Sequence, residues 1–221
     1  SEAIHSGMDL LAAVIAYFSV KTSDLPPDKK HPYGHGKFEN VSGVIEAVLI
    51  FIAAAWIIYE AVHKLLKPGP IENVGIGALV MAISAAVNAL VSRRLYTVAR
   101  KTESIALEAD ALHLKTDVYT SLGVAVGLGL ISLTGWHFLD PVVAISVALL
   151  ILKESFALLK NAYSPLLDTS LSDEENQLIG EVITSRGLSF HDLRTRKSGH
   201  YRFADFHLNM QEDIPLKEVH Q

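Results

Sequence analysis

Two stretches of the chain repeat one chemistry at one spacing: His5-x-x-x-Asp9 and His113-x-x-x-Asp117. Residues four apart share a helical face, with about 5–6 Å between their Cβ atoms. Each stretch therefore offers one imidazole and one carboxylate to a common point. Two such helices side by side supply two nitrogens and two oxygens with tetrahedral geometry available, a closed shell suited to Zn2+. An all-oxygen set would suit Mg2+ or Ca2+ instead, and a chain with no cysteine offers no thiolate to copper(I). Hydrogen-bonded pairs between helices are the alternative use of the same residues. The repetition of the pattern in two apolar segments favours the metal. Asp110 and Lys115 neighbour the second pair but point off its face.

A second constellation is Asp28, His31 and His35, spaced three and four apart in a loop rich in Pro and Gly. They can converge on a cation and leave a position for water; a solvated turn is the alternative. A third is His191, His207 and His220, with His200 nearby. Surface histidines are common, so this group is open between ligand and bystander. His63 and His137 are single residues near helix ends and read as interfacial.

The elements that must position these residues are mostly apolar. Of 221 residues 50% are hydrophobic and 19% charged, with mean hydropathy +0.30. Soluble domains carry about 25% charged residues, so composition points to a membrane protein and excludes disorder and collagen-like or disulfide scaffolds. A net charge of −5 and a pI near 6.0 give no reason to expect nucleic acid. A span needs about 20 mostly apolar residues. Five stretches fit: Ile4 to Val20, Val41 to Leu66, Val74 to Val91, Ile105 to Leu133 and Phe138 to Leu159. A large soluble bundle of buried helices is the alternative. It is disfavoured because the segments are long and apolar almost all round.

Charge divides the chain near Leu167-Asp168. Residues 1–167 read as a membrane domain, and residues 168–221, with 16 of the 43 charged side chains, as a polar domain. Lys21, Lys29, Lys30 and Lys37 in the segment 21–39, and Arg93, Arg94, Arg100 and Lys101 in the third connection, place both connections in the cytoplasm with the tail. Lys64 and Lys67 in the second connection weaken that bias. Residue 1 then falls outside and opens straight into an apolar helix, which predicts one more helix before it. In the tail, Ser172 and Glu175 form a capping-box pattern for a helix over Leu171 to Arg186. Phe190 to Lys197 and Tyr201 to Met210 read as strands joined at Ser198-Gly199. Pro215 starts another helix, carrying His220, so the tail reads as an incomplete α+β sandwich.

At these residues the chain resembles the cation diffusion facilitator family. The resemblance is carried by Ser-Glu-Ala-Ile-His5-Ser-Gly-Met-Asp9, His31-Pro-Tyr-Gly-His35-Gly-Lys37-Phe-Glu39, Ala-Asp110-Ala-Leu-His113-x-x-x-Asp117 with Thr120-Ser-Leu-Gly123, and His191-Asp-Leu-Arg194-Thr-Arg196. It spans nearly all 221 residues, and the tail is most similar to bacterial zinc and ferrous-iron efflux proteins. The resemblance implies an α-helical membrane bundle of six helices, about five of them here, and a cytoplasmic ferredoxin-like domain, truncated here. It implies a homodimer in the inner membrane that expels divalent metal in exchange for protons. It also implies a transport site at His5, Asp9, His113 and Asp117, and a second site at Asp28, His31 and His35. Further metal ligands follow at His191, His207 and His220, and a charge pair between Lys37 and Asp168. Relatives often carry Asp where this chain has His5; the imidazole resembles the zinc-selective members. Zn2+ is therefore the expected metal, with Fe2+, Co2+ and Cd2+ as further candidates.

Zinc ligation requires neutral imidazole and ionised carboxylate, so binding expels protons. Unperturbed imidazole titrates near pH 6.5. A site alternating between the two membrane faces would thus exchange Zn2+ for protons, with Gly123 to Gly129 letting helices pack and slide. An intramembrane metalloenzyme is the competing class. Four protein ligands leave no open position for a reacting water, and no HExxH or Ser/His pattern appears. A membrane metal sensor is the third class; it would need only the tail.

Overall fold

The structure, a computed structural model, describes residues 2–66, 75–136 and 138–210, with side chains described from residue 10 in the first helix and residue 82 in the third. Five long helices come first: α1 (Glu2–Ser23), α2 (Lys37–Leu66), α3 (Gly75–Thr102), α4 (Ile105–Thr134) and α5 (Leu139–Tyr163). A 3-10 turn (Ser164–Leu167) leads to α6 (Asp173–Ser185), β1 (Ser189–Ser198) and β2 (Tyr201–Asn209). All five expected spans fall on helices. Among the described residues, three helical stretches are long and apolar enough to cross a membrane: Lys37–Leu66, Ile105–Thr134 and Leu139–Leu167. In α1 the described apolar stretch is Leu10–Ser23. The expected loop 21–39 is shorter than the charges suggested. α1 runs on to Ser23 and α2 starts at Lys37, because helices of this length carry polar ends past the hydrocarbon.

Local sequence explains the helix ends. Ser104 is the N-cap of α4 and accepts from Leu107 N–H. Gly135, left-handed at φ +73, closes α4 by donating its N–H to Ile131 O. That sharp stop lets α5 turn back within a few residues. The capping box of α6 forms as expected, with Ser172 and Glu175 each accepting from the other's backbone N–H.

Small side chains set the packing. Ala47, Ala54 and Ala109 lie with Ile50, Leu112, Ile151 and Leu158 in the core between α2, α4 and α5. Without a hydrophobic drive between helices in lipid, close backbone approach supplies the contact energy. A Cβ on Gly43 would meet Ile105 Cγ2 at 2.6 Å, and one on Gly127 would meet Asp140 Oδ1 at 2.6 Å. Gly123 is nearly as tight, 3.0 Å from Val147 Cγ2. Gly129 has nothing within 4 Å, so the glycine run serves packing only through its first two members. Ile52, Trp56, Tyr59, Leu122 and Phe156 face outward, as lipid contact requires.

The strands pair antiparallel, with His191 opposite His207 and Ser198 opposite Tyr201. The hairpin tip meets both connections at one end of the bundle. A Cβ on Gly36 would collide with the Ser198 carbonyl oxygen, and Arg196 stacks on Tyr33 at 4.3 Å. Glu103, between α3 and α4, accepts from Lys197 Nζ at 2.7 Å and from Arg202 Nη2 at 3.0 Å. The first connection, the third connection and the tail therefore share one end, the arrangement expected from the lysine and arginine bias. The helix expected from Pro215, and His137, lie outside the described residues.

Candidate metal sites

His113 and Asp117 sit one turn apart on α4, both half-buried. Asn88 of α3 donates from Nδ2 to Asp117 Oδ2 at 3.4 Å. α1 packs on α4 as well as on α2, so the helix bearing His5 and Asp9 adjoins the one bearing His113 and Asp117. The side chains of His5 and Asp9 lie outside the described residues. α4 is anchored at its cytoplasmic start: Glu39 of α2 is buried and accepts from the hydroxyls of Ser23 at the end of α1 and Ser104 at the start of α4. In the sequence nothing marks Glu39 for this role. A carboxylate in a polar helix end looks solvated until the helices around it are placed.

The loop triad closes. Asp28, His31 and His35 bring one ligand atom each within 4.8 Å of the others. His31 Nδ1 lies 3.3 Å from Asp28 Oδ1, and His35 Nε2 lies 3.5 Å from Asp28 Oδ2. Ligand atoms ~2.0 Å from a tetrahedral zinc are ~3.3 Å apart, so these spacings fit a zinc-sized ion. The loop is shaped by Asp28 itself, whose Oδ1 accepts from the N–H groups of Lys30 and His31. Gly34, at φ +82, then turns the chain so that His35 comes back under His31, with ring centroids 4.4 Å apart. The His31 N–H bond, followed by that of Lys30 and the nearby imidazoles, holds the Asp28 carboxyl below the usual carboxylate range. His35 is buried against Phe38, while Asp28 and His31 are open to solvent.

In the tail the rings of His191 and His207 face each other across the strands, centroids 5.1 Å apart. The group that closes with them is Asp192: ligand atoms of His191, Asp192 and His207 lie within 4.8 Å, all three exposed. The sequence alone does not group Asp192 with the histidines, because neighbours along a strand face opposite sides. Here the pairing slips between His191 and Arg194, and Asp192 adopts φ +53. This bulge turns the carboxylate to the histidine side, 3.6 Å from His207 Nδ1. His191 Nδ1 is held by Asn209 Oδ1 at 2.8 Å. His220 lies outside the described residues. His200 stacks on Tyr201 and His63 lies beside Tyr59, neither in a ligand cluster among the described residues.

Lys37 and Asp168 form an ion pair at 2.8 Å, with Arg196 at 3.6 Å from the same carboxylate oxygen. The Lys37 hydrogen bond, with the nearby guanidinium, lowers the Asp168 carboxyl from its ordinary value. Asp168 has φ +53, where the chain turns out of the 3-10 segment toward α6.

Residues 1–167 match the cation efflux transmembrane domain, and residues 171–221 match the cation efflux protein cytoplasmic domain. Among similar proteins, an uncharacterized transporter of Synechocystis is 37% identical over 94% of this chain and 68% of its own length. The cation-efflux pump FieF of Klebsiella pneumoniae is 35% identical over 98% of this chain and 73% of its own length. FieF of Salmonella arizonae matches at the same identity and coverage.

Proposed function

The chain belongs to the cation efflux family, multi-pass membrane transporters of divalent cations and not enzymes, and from that premise we propose that it exports Zn2+ in exchange for protons. The metalloenzyme and sensor readings are set aside on the same ground. His5, Asp9, His113 and Asp117 form the transport site in this reading. The observation that carries it is the packing of α1 on α4, which sets two His-x-x-x-Asp helices against each other. Nitrogen and carboxylate donors in equal number suit zinc better than magnesium or calcium.

Open to the cytoplasm, the neutral imidazoles and ionised carboxylates bind Zn2+, and protons leave. Open to the outside, protons return to the ligands and the ion departs. Asn88 holds Asp117 by one oxygen, which limits the orientations that carboxylate takes between the two states. Asp28, His31 and His35 serve as a second zinc site at the cytoplasmic face. His191, Asp192 and His207, with His220, serve a metal site in a cytoplasmic domain over 168–221 that pairs two copies into a homodimer. The membrane domain is residues 1–167.

The test is zinc uptake into proteoliposomes under an imposed pH gradient, comparing the parent with a His113→Ala, Asp117→Ala double variant. Gradient-driven uptake by the parent and none by the double variant is expected. Equal uptake by both would remove the intramembrane site from transport.

A further inference from the structure

α4 carries a second intramembrane charge arrangement, on the side away from its proposed ligands. Lys115 Nζ meets Glu154 Oε2 of α5 at 2.7 Å, and Tyr119 O–H donates to Glu154 Oε1 at 3.4 Å. The ammonium also lies over two rings, 5.2 Å from the Tyr119 centroid and 5.8 Å from that of Tyr96 in α3. Lys115 stands midway between His113 and Asp117 in sequence. At about 100° per residue its side chain leaves α4 about 180° from the direction midway between theirs. One helix is thus held at its back by an ion pair and the Tyr119 hydroxyl to α5 and by the Tyr96 ring of α3, with the proposed metal donors on its opposite side.

We propose that Lys115 and Glu154 are positioning residues that fix the rotation of α4 about its own axis, and so the geometry with which His113 and Asp117 meet the transported cation; this rests on the reading of those two residues as transport ligands. A charged side chain inside a span is expensive and calls for a reason. Stability is a poor one, because an apolar pair of similar size commonly serves as well. Angular control is a better one. A ligand atom about 6 Å from the helix axis moves by about 1 Å when the helix rotates by 10°, whereas metal bonds tolerate only about 0.2 Å. The buried residues of α4 are largely alanines and glycines, so few long side chains are left to interlock with α5, and the ion pair adds a directional contact on that side. The pair and the Tyr96 ring tie α4 to α5 and α3, while α1 packs on α4 as well.

Glu154→Gln, Lys115→Met, Lys115→Arg and the exchanged pair Lys115→Glu, Glu154→Lys, each in the full chain, test this in proteoliposomes. The readouts are KM and kcat for Zn2+ and the Zn2+/Cd2+ ratio of kcat/KM, with His113→Ala, Asp117→Ala alongside. Glu154→Gln and Lys115→Met are expected to raise the zinc KM by about tenfold and reduce the Zn2+/Cd2+ ratio, with kcat within about twofold. Lys115→Arg and the exchanged pair are expected to restore both. A pair that only stabilised the fold would lower the amount of folded protein and leave KM and the metal ratio alone. Unchanged KM and ratio in Glu154→Gln, with the His113→Ala, Asp117→Ala control inactive, would overturn this proposal alone. Transport by that control at the parent's rate would overturn the ligand reading itself, and this proposal with it. If Lys115→Met does not fold, Glu154→Gln, which keeps size and shape, decides.

Discussion

Asp28 has two duties, and one substitution separates them. Its Oδ1 builds the turn by accepting two backbone N–H bonds, and its charge faces two imidazoles. Asparagine can accept the same backbone bonds but brings no charge. Asp28→Asn is therefore expected to leave the loop folded and to weaken zinc at this site by more than the 10–100-fold typical of a lost outer partner. Calorimetric titration of the purified protein would show one binding event removed or shifted while the melting profile holds. Asp192 gives the tail counterpart: Asp192→Asn should weaken metal there, and leave the loop site alone. The two triads also show what is legible in a sequence. Asp28, His31 and His35 were legible because the three sit within eight residues in a turn-rich segment. Asp192 was not, because a strand alternates its faces and only a bulge, which no residue type announces here, turns it round.

At the scale of elements, the hairpin tip decides whether the tail follows the bundle. Glu103 takes Lys197 and Arg202, and Arg202 reaches on to Glu175, which also caps α6. Those bonds, Lys197 first, pull the Glu103 carboxyl down to about 2 from an ordinary 4.5. A carboxyl lowered on folding contributes its full stability above its unfolded value and loses it as pH falls toward the folded one. The parent should thus exceed Glu103→Gln in stability by a constant margin above about pH 5, and the two should converge between pH 4.5 and 2. Glu103 is open to solvent, so the margin is about 1 kcal/mol. Thermal melts of both proteins across that range measure it. Gly36 works in the same joint by contact. Gly36→Ala drives a methyl into the Ser198 carbonyl and should cost about 1–3 kcal/mol. Gly129→Ala meets empty space in mid-helix and should be neutral or stabilise by up to about 1 kcal/mol. Helices, caps and strands were legible to within a few residues because apolar length, Ser172 with Glu175, and the Ser198-Gly199 turn are local signals. The Glu103 network was not, since its members lie 94 and 99 residues apart and look like ordinary surface charge.

For the whole molecule, the donor set decides how transport couples to the membrane potential. In the proposed site, two carboxylates neutralise Zn2+, so the loaded site carries no net charge. Returning with a proton on each imidazole, the same four residues again carry none, since two imidazolium charges balance two carboxylates. The antiport expected of such a site is therefore one Zn2+ for two protons, with no net charge moved. An exchange of one proton would move one charge, and would be driven or opposed by about 2.3 kcal/mol per 100 mV. Proteoliposomes with a fixed pH gradient and a potassium–valinomycin potential of either sign separate the two. The expected result is a zinc flux that changes less than about twofold between zero and 100 mV of either sign, where a one-charge imbalance allows up to about fiftyfold in the driving force. His5→Asp should break the balance: it leaves one imidazole to return protonated, so one proton is exchanged for each Zn2+ and each cycle moves one charge. Its flux should become sensitive to the potential while the parent's is not, which would tie the electrical behaviour of the transporter to the residue four positions before Asp9 on α1.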